Sequence, residues 1–170
     1  AVAVGSNGSI LARYAKIHPF APAREDTCYA PGNNLGIFEI DGMRFGIAIC
    51  YDLRFPEVFR LYAGRDVHGV IVPSAWPASR LRHWELFIRA RAAENQIYVA
   101  GINTTGRNPV DTYAGGSMIA GPDGSIIAQT GKNETLLFSD LDPAAVEDAQ
   151  RSFPVHRDLR TSLYGKLGRE

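Results

Sequence analysis

The stretch Gly46-Ile47-Ala48-Ile49-Cys50-Tyr51-Asp52-Leu53-Arg54-Phe55-Pro56-Glu57 decides how this chain is read. A glycine-spaced apolar run ends on one cysteine, and a polar turn and a helix start follow at once. Pro56 suits the first helical position and Gly64 the stop, so Pro56–Ala63 is predicted as a short helix. A buried strand that delivers its chain straight into a helix argues for an α/β fold. It also lifts the Cys50 thiol to the strand's rim, aimed at the positive end of a helix. Thiolate is the reactive form of cysteine and a helix N-terminus favours negative charge, so Cys50 is placed as a nucleophile. The competing reading is a core cysteine that only packs, the usual fate of an unpaired thiol.

Outward from that stretch, strands and helices mix. Gly36–Ile40 and Met43–Ile49 flank Asp41-Gly42, a strong hairpin signal, and Ala1–Gly5 and Ser9–Lys16 flank Ser6-Asn7-Gly8 in the same manner. Phe20–Asn34 is irregular, punctuated by Pro22, Pro31 and Gly32. Val67–Val72 reads as a buried strand leading to Pro73-Ser74-Ala75-Trp76-Pro77. Arg80–Asn95 is the clearest helix, with Leu81, Trp84, Phe87, Ile88, Ala92 and Gln96 near one face. Ile97–Asn103 returns as a strand, and a glycine-rich loop leads to strands at Gly116–Ala120 and Ser125–Thr130. A last strand is predicted at Glu134–Leu141 and a last short helix at Pro143–Gln150, before a polar tail without periodicity from Arg151. Hairpins together with strand-helix-strand units predict a layered α/β sandwich, not a purely parallel sheet.

The 170 residues are 45% hydrophobic and 21% charged, and 18 basic side chains balance 18 acidic ones. This is an ordinary globular composition with no general pull toward nucleic acid or anionic membrane. No apolar run is long enough to span a bilayer. Two cysteines, Cys28 and Cys50, do not make a disulfide framework. Both are expected to be reduced thiols in a cytoplasmic protein.

Thiol attack on a carbonyl or nitrile needs a thiolate, donors for the oxyanion and a proton carrier. Lys16, in Tyr14-Ala15-Lys16-Ile17-His18-Pro19-Phe20, is the candidate ammonium, since a nearby cation favours thiolate and can hold a developing oxyanion. Glu25 lies in the following loop, where it could pair with Lys16 or serve as a second carboxylate. Taken singly, both read equally as solvated surface charges. A serine hydrolase is disfavoured because no Gly-x-Ser-x-Gly surrounds Ser74 or Ser117. The four histidines lack metal-ligand spacing. No Gly-x-x-x-x-Gly-Lys phosphate loop occurs, and no basic stripe accompanies Arg89 and Arg91.

Taken together, these segments resemble the carbon-nitrogen hydrolase (nitrilase) superfamily. The resemblance rests on Tyr14–Phe20, the spacing from Glu25 to Asn33, and Ile49–Glu57. Pro73-Ser74-Ala75-Trp76, His83-Trp84-Glu85-Leu86, Arg89–Gln96, Pro122-Asp123-Gly124 and Phe153–Arg157 also fit, in order along the chain. Among its branches the chain looks most like amidases related to omega-amidase, which hydrolyse small linear amides. The resemblance implies a four-layer α-β-β-α sandwich, with residues 1–150 as the C-terminal portion of the hydrolase domain. Residues 151–170 would be a C-terminal extension reaching a neighbouring subunit in a homodimer or larger homo-oligomer. It implies Cys50 as the nucleophile that forms a thioester, and Lys16 together with the Tyr51 backbone N–H as oxyanion donors. Glu25 would support the lysine and Trp76 would wall the substrate pocket. Arg54 is placed to meet a substrate carboxylate, but could equally pair with Glu57 or Asp52. No metal or organic cofactor is implied.

The family's general base is a glutamate well upstream of the lysine motif, and nothing before Lys16 here is acidic. The sequence also begins mid-strand and without a methionine. It therefore reads as the C-terminal portion of a longer protein, or else as a degenerate copy. In the first case the sandwich is incomplete, the 170 residues alone are expected to be inactive and poorly soluble, and the parent is an enzyme. The rival from another class is a non-catalytic scaffold that keeps the fold. A nitrilase or N-carbamoyl amino acid hydrolase would use the same centre.

Overall fold

The computed structural model describes residues 1–167. It begins with an antiparallel hairpin of β1 (Val2–Val4) and β2 (Ile10–Arg13), followed by an irregular loop containing two single 3-10 turns. β3 (Gly36–Ile40) and β4 (Met43–Ile47) form the second hairpin. Its turn needs two left-handed residues in succession, which Asp41 (φ 50°) and Gly42 (φ 77°) supply. A 3-10 helix over Cys50–Arg54 then leads into α1 (Pro56–Ala63), with Pro at its first position as expected. β5 (Gly69–Ser74), α2 (Leu81–Asn95) and β6 (Tyr98–Asn103) complete a strand-helix-strand unit. A small hairpin of β7 (Thr105–Arg107) and β8 (Thr112–Ala114) precedes β9 (Met118–Ala120) and β10 (Ile126–Gln129). α3 (Pro143–Ser152) and α4 (Thr161–Leu167) follow.

The main sheet has six strands in the order β10-β9-β6-β5-β4-β3, parallel at its centre (β4-β5-β6) and antiparallel at both margins. Register fixes which side chains share a face. Gly46 lies beside Val70, and Val72 beside Gly101, so all four point to one side. A Cβ on Gly46 would lie 2.6 Å from the Tyr62 ring of α1, and one on Gly101 would lie 2.3 Å from Ile88 and 2.6 Å from Trp84 of α2. Both helices therefore pack on this face, and glycine lets them approach. Phe59, Tyr62, Trp84, Ile88, Val72, Val99 and Met118 make the main core between them.

Opposite, Ile47, Phe38 and Tyr14 form a second cluster, so the β1-β2 hairpin lies over the β3-β4 end of the sheet. A helix layer, the main sheet and part of a second β layer are thus present, the α/β architecture expected from the sequence. Along the rest of that face Ile71, Ala100 and Ile119 stand in one row, half-buried, and Ile102 is 49% exposed. No helix among the described residues is long and apolar enough to cross a membrane.

Several expectations are corrected. The strand expected at Glu134–Leu141 does not form. Its alternating pattern finds no ladder partner, and Leu136 and Phe138 point outward, 80% and 82% exposed. The glycine-rich loop after Asn103 holds the β7-β8 hairpin, which its short polar strands concealed. The strand expected at Val67–Val72 runs instead from Gly69 to Ser74, because Ser74 pairs with Asn103 of β6. The tail expected to lack periodicity contains α4 and a 3-10 turn at Val155–Asp158. Around the start of the expected extension, Gln96 Nε2 donates to the carbonyls of Ala149 (2.9 Å) and Phe153 (2.8 Å), and His156 Nε2 sits 3.1 Å from the Asn95 carbonyl. These contacts hold Phe153 and His156 to their own chain, and residues 168–170 lie outside the described residues.

Candidate active site

Cys50 does not cap an α-helix directly. It opens the 3-10 turn with φ of 46°, a left-handed conformation that costs a residue with a Cβ roughly 1–2 kcal/mol. The parallel ladder holds it there: Ala48 N–H donates to the Ile71 carbonyl at 3.0 Å, and the next amide, Ile49 N–H, donates to Asp52 Oδ2 at 3.0 Å. The kink turns the thiol out of the sheet at the C-terminal ends of the parallel strands, beside Ser74 and Ala75 at the end of β5.

Lys16 lies just beyond β2 on a segment that crosses the same strand ends. Its Nζ donates to Glu25 Oε2 at 2.6 Å, and the same oxygen accepts from Phe20 N–H at 2.8 Å. Burial would raise the Glu25 acid, but the bonds from Lys16 and Phe20 outweigh it and hold the group below the usual carboxylate value. Of the two roles left open for Glu25, the geometry has it paired with Lys16.

Cys50, Lys16, Glu25, Tyr51, Arg54 and Trp76 all line one cleft of about 540 Å³. The six candidates, from Lys16 to Trp76 along the sequence, thus converge. Burial pushes the Cys50 thiol up and the Glu25 carboxylate adds to the rise, while a hydrogen bond from the Ala75 backbone and the Lys16 ammonium pull it part of the way back. The balance favours the neutral thiol over the thiolate. Tyr51 carries the second amide of the Cys50–Arg54 3-10 turn, ahead of the first intra-turn bond from Asp52 N–H to the Ile49 carbonyl.

Arg54 pairs with neither Glu57 nor Asp52. Its guanidinium lies 4.8 Å over the Trp76 ring and 5.3 Å from the Phe87 ring, a stacked position that leaves its charge facing the cleft. Among the described residues it has no salt bridge. Trp76 is almost fully buried, with its indole N–H donated to the Arg80 carbonyl at 2.8 Å.

Two features were missed from sequence. Asn108, Val110, Asp111 and Tyr113 of the β7-β8 hairpin form the outer wall of the cleft, joined by Arg80. Asn103 holds the Trp76 loop in place: its Oδ1 accepts from Trp76 N–H at 2.7 Å, and its Nδ2 donates to the carbonyls of Trp76 (3.2 Å) and Gly115 (2.7 Å). A polar residue at the inward position of a strand end was the available signal.

Comparison with known proteins identifies the family. The carbon-nitrogen hydrolase family profile matches residues 1–151. The chain is 37% identical over 157 residues to the 2-oxoglutaramate amidase of Bacillus subtilis (strain 168), covering 92% of this chain and 61% of that protein. It is 34% identical over 169 residues to the omega-amidase NIT2 of Homo sapiens, covering 94% and 61%. Among solved structures, the carbon-nitrogen hydrolase from Helicobacter pylori G27 superposes with a TM-score of 0.90 at 25% identity, over 98% of this chain and 63% of that one. Saccharomyces cerevisiae Nit3, a member of branch 10 of the nitrilase superfamily, gives 0.80 at 30% identity, over 88% and 55%. The chain spans about three fifths of the length of these relatives.

Proposed function

This chain belongs to the carbon-nitrogen hydrolase family, and from that premise we propose that its cleft serves an amidase of the omega-amidase kind, acting on small linear amides through a thioester on Cys50. The observation that carries the proposal is the convergence of Cys50 and the Lys16–Glu25 pair, joined at 2.6 Å, on one cleft. In the proposed reaction Cys50 Sγ bonds to the amide carbon, and the carbonyl electron pair moves onto oxygen. Lys16 Nζ and the Tyr51 N–H receive that oxyanion. The thiol proton passes through a base to the amide nitrogen, the carbon–nitrogen bond breaks and ammonia leaves. Water then adds to the thioester, releasing a carboxylic acid and restoring the thiol.

Glu25 supports Lys16 in this scheme and is not the base, because its Oε2 is already engaged by Lys16 and Phe20. The base is the upstream glutamate that the family resemblance implies. A missing positioned base costs about 10²–10⁴ in rate, so the 170 residues assayed alone should turn over poorly. Robust hydrolysis by this chain would contradict that assignment. The substrate proposed is a monoamide of a dicarboxylate. The relatives' names support an amide of this kind, and the stacked Arg54, with Arg80 nearby, offers charge for the distal carboxylate. Homo-oligomer formation is also proposed, supported by the exposed Leu86 (59%), Phe153 (72%) and Tyr164 (53%). Sedimentation that finds only monomer would count against it.

The central test is mass spectrometry after exposure to an amide or hydroxamate. In the full-length parent, an acyl adduct should appear on Cys50, persist in Cys28→Ser and vanish in Cys50→Ser. An adduct on Cys28, or turnover that survives Cys50→Ser, would sink the thioester scheme.

A further inference from the structure

Asp52 is fully buried, is absent from the walls of the cleft, and yet collects hydrogen bonds from both segments that build it. From the lysine segment come Tyr14 OH to Oδ2 at 2.7 Å, His18 N–H to Oδ1 at 2.9 Å, and His18 Nδ1, also 2.9 Å from Oδ1, where the Nδ1–H tautomer donates. From the cysteine turn comes Ile49 N–H to Oδ2 at 3.0 Å. Every oxygen thus receives two donors, which is how a carboxylate is tolerated in a dry interior. Burial first, then the Asp52 charge, push the Tyr14 phenol far above its ordinary range, so it stays a donor. His18 is further fixed by stacking on Phe55, with ring centroids 3.6 Å apart.

The spacing gives this cluster its meaning. Tyr14 and His18 stand two residues before and two residues after Lys16, and Ile49 immediately precedes Cys50. β2 ends at Arg13, so Lys16 has no place in a strand ladder; its carbonyl accepts the Gly32 amide at 2.8 Å. Among the described residues Asp52 is therefore the hydrogen-bonded tie between the segment that carries the ammonium and the strained turn that carries the thiol. We propose that Asp52 is a positioning residue that sets the Lys16 ammonium against the Cys50 thiol, through Tyr14 and His18 on one side and Ile49 on the other. This rests on the reading of Cys50 and Lys16 as the reacting pair.

The test is a double-mutant cycle read by alkylation, which needs no turnover. Iodoacetamide labelling of Cys50 is followed against pH by peptide mass spectrometry, with exposed Cys28 in the same molecule as the reference for reagent. Besides Lys16 and Glu25, the charged groups lining the cleft are Arg54, Arg80 and Asp111, and these stay constant through the cycle. Lys16→Met should move the Cys50 labelling midpoint up by about 1–2 pH units, as loss of a neighbouring cation does. In an Asp52→Asn background the same substitution should move it less than half as far. Equal shifts in the two backgrounds would overturn the positioning role and leave Asp52 as a fold-stabilising group only. No shift on Lys16→Met in the wild-type background would instead sink the Cys50–Lys16 reading itself. Should Asp52→Asn fail to fold, Tyr14→Phe deletes one hydroxyl and keeps the ring. It should lose a smaller but measurable part of the Lys16 effect, and an undiminished effect there overturns the proposal.

Discussion

Glu25→Gln removes the charge of the Lys16 partner while keeping the side chain's shape. Glu25 Oε2 accepts from Lys16 Nζ at 2.6 Å and from Phe20 N–H at 2.8 Å, and the Lys16 and Glu25 side chains keep 15% and 33% exposure. Hydrogen bonds to a charged group contribute about 1.5–3 kcal/mol. With a third of the carboxylate in water and the Gln oxygen still able to accept, solvent screening reduces the loss to about 1 kcal/mol. The pH dependence has a definite sign. Glu25 is depressed in the folded chain by Lys16 and Phe20 against the opposing effect of burial. A depressed acid adds stability above its unfolded value of about 4.3 and loses it as pH falls through the folded value. Wild type should therefore exceed Glu25→Gln by about 1 kcal/mol at pH 7, and the gap should close toward pH 3. Urea titrations at the two pH values, followed by tryptophan fluorescence, measure this; an equal gap at both would refute the ion-pair reasoning. The same variant should relieve Cys50, whose thiol the Glu25 charge raises. Loss of one unit charge facing a cleft is worth on the order of 1 kcal/mol, so Cys50 alkylation at pH 7 should quicken about fivefold. Slower labelling would show that Glu25 acts on the thiol only by holding Lys16.

Arg54→Met should weaken binding of a dicarboxylate by about 10–100-fold, the loss of one charge-assisted contact, while a neutral amide is held as before; calorimetry with both ligands decides it, and equal losses would remove Arg54 from carboxylate recognition. Gly101→Ala forces a methyl to within 2.3 Å of Ile88 and 2.6 Å of Trp84, and should destabilise by about 1–3 kcal/mol; an unchanged urea midpoint would contradict the close approach of α2. Asn103→Ala strands the Trp76 and Gly115 backbone groups and should cost about 2–4 kcal/mol, with a change in tryptophan emission as the Trp76 loop loosens. An unaltered spectrum would mean that the loop holds itself.

Local chemistry made much of this protein legible. Asp41-Gly42 specifies its turn because those residues tolerate left-handed backbone, and Pro56 with Gly64 brackets α1 because one cannot donate an internal amide and the other ends a helix easily. The motifs around Lys16, Glu25 and Cys50 carried the family and the candidate site. Where the reading failed, a partner distant in sequence decided the outcome. Residues 134–141 alternate like a strand but find no ladder, and Ser74 is drawn into β5 by Asn103 across the sheet. The left-handed Cys50, the hairpin wall at Asn108–Tyr113 and the stacking of Arg54 between Trp76 and Phe87 likewise depend on contacts no window of sequence contains. Asp52 is the sharpest case. In the sequence it is one acidic residue in a turn, whereas in the folded chain it is a dry carboxylate tying two segments more than 30 residues apart. The chain's own order thus determined which reactive groups this protein owns. Only tertiary packing decided how they face one another, because burial and hydrogen bonding act through space and not along the backbone.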